Sequence, residues 1–447
     1  MQRVWKIKKN PSRTNLCGLI AYSIPGSRFI IQLNDQAVRI NQYLPFAILY
    51  FFLNSAGLPF GLTYMTLLSP FLYYWVATKR KQEILWPFLL FILPYIFIHN
   101  FFYETQFKSY LVSLLNLATV YVFCQAVYTF LLFCHDKEKI FKKLLLINFI
   151  LCLIALPFYF TSYYDWFWIE QELTKGISGF RRLKMFTYEA SYYATLCVPL
   201  FFYFLLKIVL RQNKINAWLL MLMISLPFVL SFSLGVISVL TLTLVLVFIL
   251  YAWRLMGKMR VRNMVLMGTL FLVPFVLVVI YFFPENTLFY RIENVFSGRD
   301  TSGKGRTSEA FILAFRLLQQ KTELFGIGLG QIKVIGTEII RDFYLYPLDH
   351  KIFAIPNASA ETLAIFGITG FAMRMLAEVF FFFYTRVWTN YFRLLLFIFI
   401  FIYQFTGSFI TNHSEYVIWV MAFTDVYKQF NIGRINTKNE LIKNGVV

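Results

Sequence analysis

Apolar segments of similar length repeat along this chain, and the Lys and Arg residues fall mostly in every second gap between them. About 20 apolar residues carry a helix across a bilayer. A bilayer admits only helices or closed barrels, because backbone polar groups find no water there. The length of these runs selects helices. Segments are read at 38–54, 58–77, 84–103, 109–134, 141–161, 187–206, 216–231, 233–252, 264–283, 359–383, 394–410 and 415–427, which gives about twelve spans by length. The expected fold is all-α: a polytopic integral membrane protein, one membrane domain over residues 1–447. One long polar loop at 284–358, with short helices of its own, and a short tail at 428–447 complete it. Only 14% of the residues are charged, where soluble domains carry about 25%.

The gaps at 78–83, 135–143, 207–215, 253–262 and 385–393 are basic, as are the first 37 residues and the tail. Positive charge marks the cytoplasmic side of a membrane protein. Both termini are therefore expected inside and the 284–358 loop outside. A formal charge of +20 would also fit a nucleic-acid binder, but its concentration in one set of gaps makes it a topology signal. Nucleic acid is excluded as a partner, and membrane lipid is expected. Cys17, Cys124, Cys134, Cys152 and Cys197 are scattered without a C-x-x-C pair, which reads as buried free thiols and not as a zinc site or disulfide framework. The basic N-terminus leads into no apolar core with a cleavage site, so no cleaved signal peptide is expected.

Two outer gaps break the charge rule. Residues 162–186 hold Lys175, Arg181, Arg182 and Lys184, and the long loop holds Arg291, Arg299, Lys304, Arg306 and Arg341. Acids share both segments, so these cations either pair with them or bind an anionic substrate. The run from Ser297 to Ser308 (SGRDTSGKGRTS) has glycines that let backbone approach an anion, with Arg299, Lys304 and Arg306 to hold a pyrophosphate. It reads equally as a flexible loop on lipid headgroups. The spacing of Ile312, Phe315 and Leu318 predicts a helix over 309–320, capped by Thr307 or Ser308.

Glu189 lies just within a span, where a carboxylate needs a partner or a cavity; it pairs with an arginine or acts as general base on a sugar hydroxyl. Asn357 and Glu361 open the helix after the long loop, and Arg374 and Glu378, four residues apart within it, can satisfy each other. His350 is a lone outer histidine and a candidate base. Tyr163, Tyr164, Trp166 and Trp168 either stack on sugar rings or form an interfacial belt. The run Gly326-Ile-Gly-Leu-Gly330 lacks the spacing of a dinucleotide fingerprint, and neither a P-loop nor metal-ligand spacing occurs. No cofactor, metal or ATP use is expected.

The ordered set Arg182…Glu189-Ala-Ser-Tyr-Tyr, Leu230-Ser-Phe-Ser-Leu-Gly235, Ser297-Gly-Arg, Gly305-Arg-Thr-Ser, Phe325-Gly-Ile-Gly-Leu-Gly and Asn357-Ala-Ser-Ala-Glu…Phe366-Gly-Ile-Thr-Gly370 resembles the O-antigen polymerases (Wzy type). That family shares a superfamily with the O-antigen ligases. The matching stretch is 180–375. The resemblance implies a metal-independent glycosyltransferase of the bacterial inner membrane, active on the periplasmic face. It would move a growing glycan from undecaprenyl pyrophosphate to the non-reducing end of a lipid-linked repeat unit. The partners implied are undecaprenyl-pyrophosphate-linked oligosaccharides, with a chain-length regulator and a flippase of the same pathway. Arg182, Glu189, Arg306 and His350 become candidate catalytic residues. Arg181, Arg291, Arg299, Lys304, Asn357 and Glu361 become candidate substrate-binding residues. The related ligases carry a His-Asn pair before the helix that follows the long loop. Here the matching position is Pro356-Asn357, which favours a polymerase over a ligase that transfers polymer to lipid A–core. A lipid-linked oligosaccharide flippase or other transporter is the third reading; transporters are often built from related halves, and no internal repeat is found.

Overall fold

The computed structural model describes residues 28–33, 36–41, 43–54, 64–80, 86–171, 180–213, 215–255, 301–344, 355–433 and 435. The described residues are mostly helical, with few strands. A first hairpin pairs β1 (Arg28–Leu33) with β2 (Gln36–Asn41), antiparallel. The helices α1 (Tyr43–Leu53), α2 (Tyr64–Arg80), α3 (Trp86–Phe97), α4 (Phe107–Phe133) and α5 (Lys137–Phe158) follow. A second hairpin pairs β3 (Trp168–Gln171) with β4 (Phe180–Leu183). Then come α6 (Ala190–Val209), α7 (Ala217–Ser231) and α8 (Leu234–Leu255). Three short helices, α9 (Thr301–Arg306), α10 (Ser308–Leu318) and α11 (Gly336–Tyr344), lead to α12 (Ala358–Tyr384), α13 (Tyr391–Tyr403) and α14 (His413–Phe423).

The fold is mainly helical, as expected, with two short hairpins beside the helices. The first span was read from residue 38, yet helix begins at Tyr43 and residues 36–41 are strand. β-Branched and polar residues alternate in Val38-Arg-Ile-Asn41, and that period of two is a strand pattern. In the second hairpin Glu170 lies opposite Arg181, a cross-strand pair of opposite charge 3.8 Å apart.

Among the described residues, five helices are long and apolar enough to cross a membrane: α4, α5, α6, α8 and α12. Shorter apolar helices are α1, α3 with its following turn, α7 and α13. Local chemistry sets these shorter lengths. Phe232 ends α7 in the left-handed conformation, with its N–H on the Phe228 carbonyl. Asn390 opens α13 by accepting from the Phe392 and Arg393 amides. The expected span at 264–283 lies outside the described residues.

The α6 helix is the centre. It is apolar on every face, and 89% of its spanning window is buried, as expected for a helix enclosed by others. Around it α1, α5, α7, α8, α13 and α14 pack in one hydrophobic cluster. A second cluster joins α3, α10, α12 and the segment 325–332.

That segment is more than a connection. Helix α12 is broken at Gly367, where φ is +70°. The turn segment 323–328 lies in the break: Ile327 and Gly328 donate to the Ala364 and Ile365 carbonyls, and Ile368 and Thr369 donate to those of Glu323 and Leu324. Groups that a broken helix would leave orphaned inside an apolar region are thereby satisfied. Gly326, Gly328 and Gly330 all have positive φ, and a β-carbon at Gly326 or Gly330 would collide with the carbonyl of Ile365 or Ser109. The glycine run is therefore a close-packing device.

Candidate functional site

The site begins with an ion pair between two residues 117 positions apart. Arg306 ends α9, and its Nη2 lies 3.3 Å from Glu189 Oε1. Glu189 is the N-cap residue of α6, but its side chain makes no capping bond. Its carbonyl accepts from Thr187 Oγ1 at 2.9 Å and from the Tyr193 amide, so the carboxylate is left to face Arg306. The N-terminal dipole of α6 also favours a negative charge at this position. The side chains keep 34% and 17% of their exposure, so the pair can be reached.

Asn357 fixes Arg306 from behind. Its Nδ2 donates to the Arg306 carbonyl at 2.8 Å and to the Phe405 carbonyl at 2.7 Å, while Oδ1 accepts from the Ala360 amide and caps α12. Tyr344 at the end of α11 donates to the Gly305 carbonyl at 3.4 Å. Short helix α9 is thus clamped between α11 and the start of α12.

Several candidates are placed otherwise. Arg182 is buried and its Nε donates to the Ser231 carbonyl at 3.0 Å, joining β4 to the end of α7. Arg181 lies over the Tyr164 ring at 3.8 Å and donates to the Tyr159 carbonyl. Glu361 is buried in the first turn of α12, where Oε2 accepts from the Ile410 amide at 2.8 Å. Lys304 is exposed on α9. Arg291, Arg299 and His350 lie outside the described residues.

The open glycine-rich cradle read at 297–308 is not seen over its described part. Residues 301–306 form a helical turn. Thr307 stands at the N-cap position of α10 but turns its hydroxyl to the Lys304 carbonyl. The start of α12 is equally closed to an anion, because Ala358 and Ser359 donate to the Gly407 and Gln404 carbonyls. Of the four aromatics, Trp168 is buried with Nε1 on the Ala155 carbonyl, while Tyr163 and Trp166 are exposed.

A second charged cluster lies deeper. Arg374 Nε is 3.1 Å from Glu378 and 2.8 Å from Gln404, Nη1 is 3.0 Å from Thr362, and Nη2 bonds Glu415. Gln404 closes the ring on Glu378 at 2.7 Å. The spacing of Arg374 and Glu378 revealed their pairing. Glu415 and Gln404 were missed, although an acid in an otherwise apolar segment was a signal for the former. Thr362, Arg374 and Glu378 border a cavity of about 820 Å³, lined mainly by apolar and aromatic residues of α3, α4, α12 and α14.

His99 sits in a π-helical turn, Ile98–Phe102, often a mark of local constraint. Its Nε2 donates to the Phe325 carbonyl at 2.7 Å, leaving Nδ1 to accept from the Tyr110 hydroxyl at 3.4 Å. It locks the glycine segment to α3. Nearby Lys321 donates to the Tyr103 carbonyl; burial pushes its ammonium below the ordinary value, against the pull of Glu104. Among the described residues, no group of three or more His, Cys, Asp or Glu is arranged to hold a metal. No protein-family model matches the chain, and no curated protein matches it.

Proposed function

We propose that this protein is a bacterial polysaccharide polymerase of the inner membrane. It transfers a growing glycan from undecaprenyl pyrophosphate to a lipid-linked oligosaccharide repeat unit on the periplasmic face, without a metal or nucleotide sugar. The observation that carries this reading is the accessible Arg306–Glu189 pair, held by Asn357 at an end of the helix assembly. In the reaction, the acceptor hydroxyl oxygen attacks the anomeric carbon of the donor. The bond from that carbon to the pyrophosphate oxygen breaks, and the electron pair leaves with the pyrophosphate. Arg306 stabilises the charge that builds there. Glu189 takes the hydroxyl proton. Asn357 is a positioning residue, since its polar atoms are already engaged. Exposed Lys304, with Arg299 and Arg291, supplies further positive charge for the donor, and His350 is the alternative base.

A transporter is the second reading, because broken helices mark transporter sites and α12 is broken at Gly367. The backbone groups around that break are taken by residues 323–328, which leaves the polymerase reading stronger. Purified protein given a polyprenyl-pyrophosphate-linked repeat unit should yield a ladder with one-repeat spacing. A single adduct on added lipid A–core would make it a ligase. No product from folded protein and native substrate would defeat both.

A further inference from the structure

We propose that the buried carboxyls around Arg374 form a proton-binding site, with Glu361 as the carboxyl that carries the proton. The inference stands apart from the polymerase reading. The carboxyl side chains of Glu361, Glu378 and Glu415 are at most 6% exposed. Glu361 lies in the first turn of α12, Glu378 beyond the break at Gly367, and Glu415 in the first turn of α14. Arg374 pairs with both Glu378 and Glu415, so its single charge is already outnumbered. Glu361 is a further acid within electrostatic reach of Glu415 and Arg374. A buried carboxylate without a counter-charge is costly, and such a group takes up a proton instead.

The bonding pattern separates the three acids. Both oxygens of Glu378 accept hydrogen bonds, from Arg374 Nε at 3.1 Å and from Gln404 Nε2 at 2.7 Å. Glu415 Oε1 accepts from Arg374 Nη2, but its buried Oε2 has no partner. That bare oxygen is an independent sign that the site lacks positive charge. Glu361 accepts from the Ile410 amide on Oε2 at 2.8 Å, and among the described residues it makes no ion pair. Oε2 keeps the amide, and Oε1 carries the proton. Other elements bring little charge to the site. Tyr403 of α13 and Tyr416 of α14 face Glu415, Cys124 of α4 faces Tyr416, and Tyr192 of α6 faces Ser414. Lys333, exposed, stands toward Glu361. Loss of the proton would set like charges against one another across the break in α12.

Infrared spectra of the full-length protein in lipid nanodiscs, in potassium buffer, test this. Exposed carboxyls are ionised at neutral pH, so a carboxylic-acid carbonyl band that shifts in heavy water reports a buried acid. Glu361→Gln should remove that band, and Glu378→Gln should leave it. A band kept in Glu361→Gln and lost in Glu378→Gln would overturn the proposal. So would the lack of any such band in the unaltered protein, a result that needs no variant to fold. A band that vanishes when sodium replaces potassium at constant pH would give the site to a sodium ion and overturn the proton. Stability supplies a second readout. The folded protein keeps the proton at a pH where the unfolded chain releases it, so stability is lost as pH rises. The melting temperature in detergent should therefore fall from neutral to alkaline pH. Glutamine copies the protonated acid, so Glu361→Gln should show a smaller fall. Equal falls would count against Glu361 as the carrier.

Discussion

At the scale of single residues, the Arg306–Glu189 pair presents each group's natural competitor to the other. A donor pyrophosphate must displace Glu189 to reach the guanidinium, and that displacement frees the carboxylate for the acceptor hydroxyl. Partly exposed pairs contribute ~0.2–1 kcal/mol, so the exchange costs little. Glu189→Gln should therefore bind inorganic pyrophosphate up to about five-fold more tightly, measured by calorimetry, while its ladder forms more slowly. Unchanged affinity would show that Glu189 does not restrain Arg306. Losing one preorganised donor costs on the order of 10²–10³ in rate elsewhere. Arg306→Ala should lose long chains by a similar factor at normal expression, and normal chain length on a gel would exclude Arg306 from the chemistry.

At the scale of elements, the glycine segment and the break in α12 form one joint. Gly367 has φ +70° and Gly330 has φ +72°, each against a neighbouring carbonyl. Alanine at either position should cost ~1–3 kcal/mol and lower the melting temperature in detergent. Gly235, with nothing near its Cβ position, is the control and should melt as wild type. Much of the helical layout was legible because apolar length and the spacing of Arg374 and Glu378 are local properties. The paired strands 28–33 and 36–41 were hidden because the short period of two in Val38–Asn41 runs almost directly into the apolar run of α1. The joint was not legible, because Gly326-Ile-Gly-Leu-Gly330 acquires its purpose only against Ile365 and Ser109. Nor was the link between Glu189 and Arg306, which tertiary folding alone brings together. Arg182 and Glu361 read as reagents because each is charged near a helix end, yet burial turns both toward backbone partners.

At the scale of the whole molecule, Arg374 ties α12 to α13 through Gln404 and to α14 through Glu415. Removing it alone leaves two carboxylates buried without their cation. Arg374→Ala should therefore cost ~3–5 kcal/mol and reduce folded protein by fluorescence size exclusion. Replacing Arg374, Glu378 and Glu415 together by leucine should restore most of that loss, because the combined change removes the charges as well as the bonds. The proposed sidedness is a separate property of the whole chain. Lys304 is exposed on α9, beside the ion pair, and Lys139 is exposed at the start of α5, its ammonium 3.0 Å from Asp136. The two lie in gaps that the charge rule assigns to opposite faces of the membrane. In a background without native cysteines, Lys304→Cys in intact spheroplasts should react with an impermeant maleimide, whereas Lys139→Cys should react only after permeabilisation. Labelling of Lys139→Cys from outside would invert the orientation and move the ion pair to the cytoplasmic face. No periplasmic acceptor could then reach Glu189, and the polymerase reading would fall with the topology.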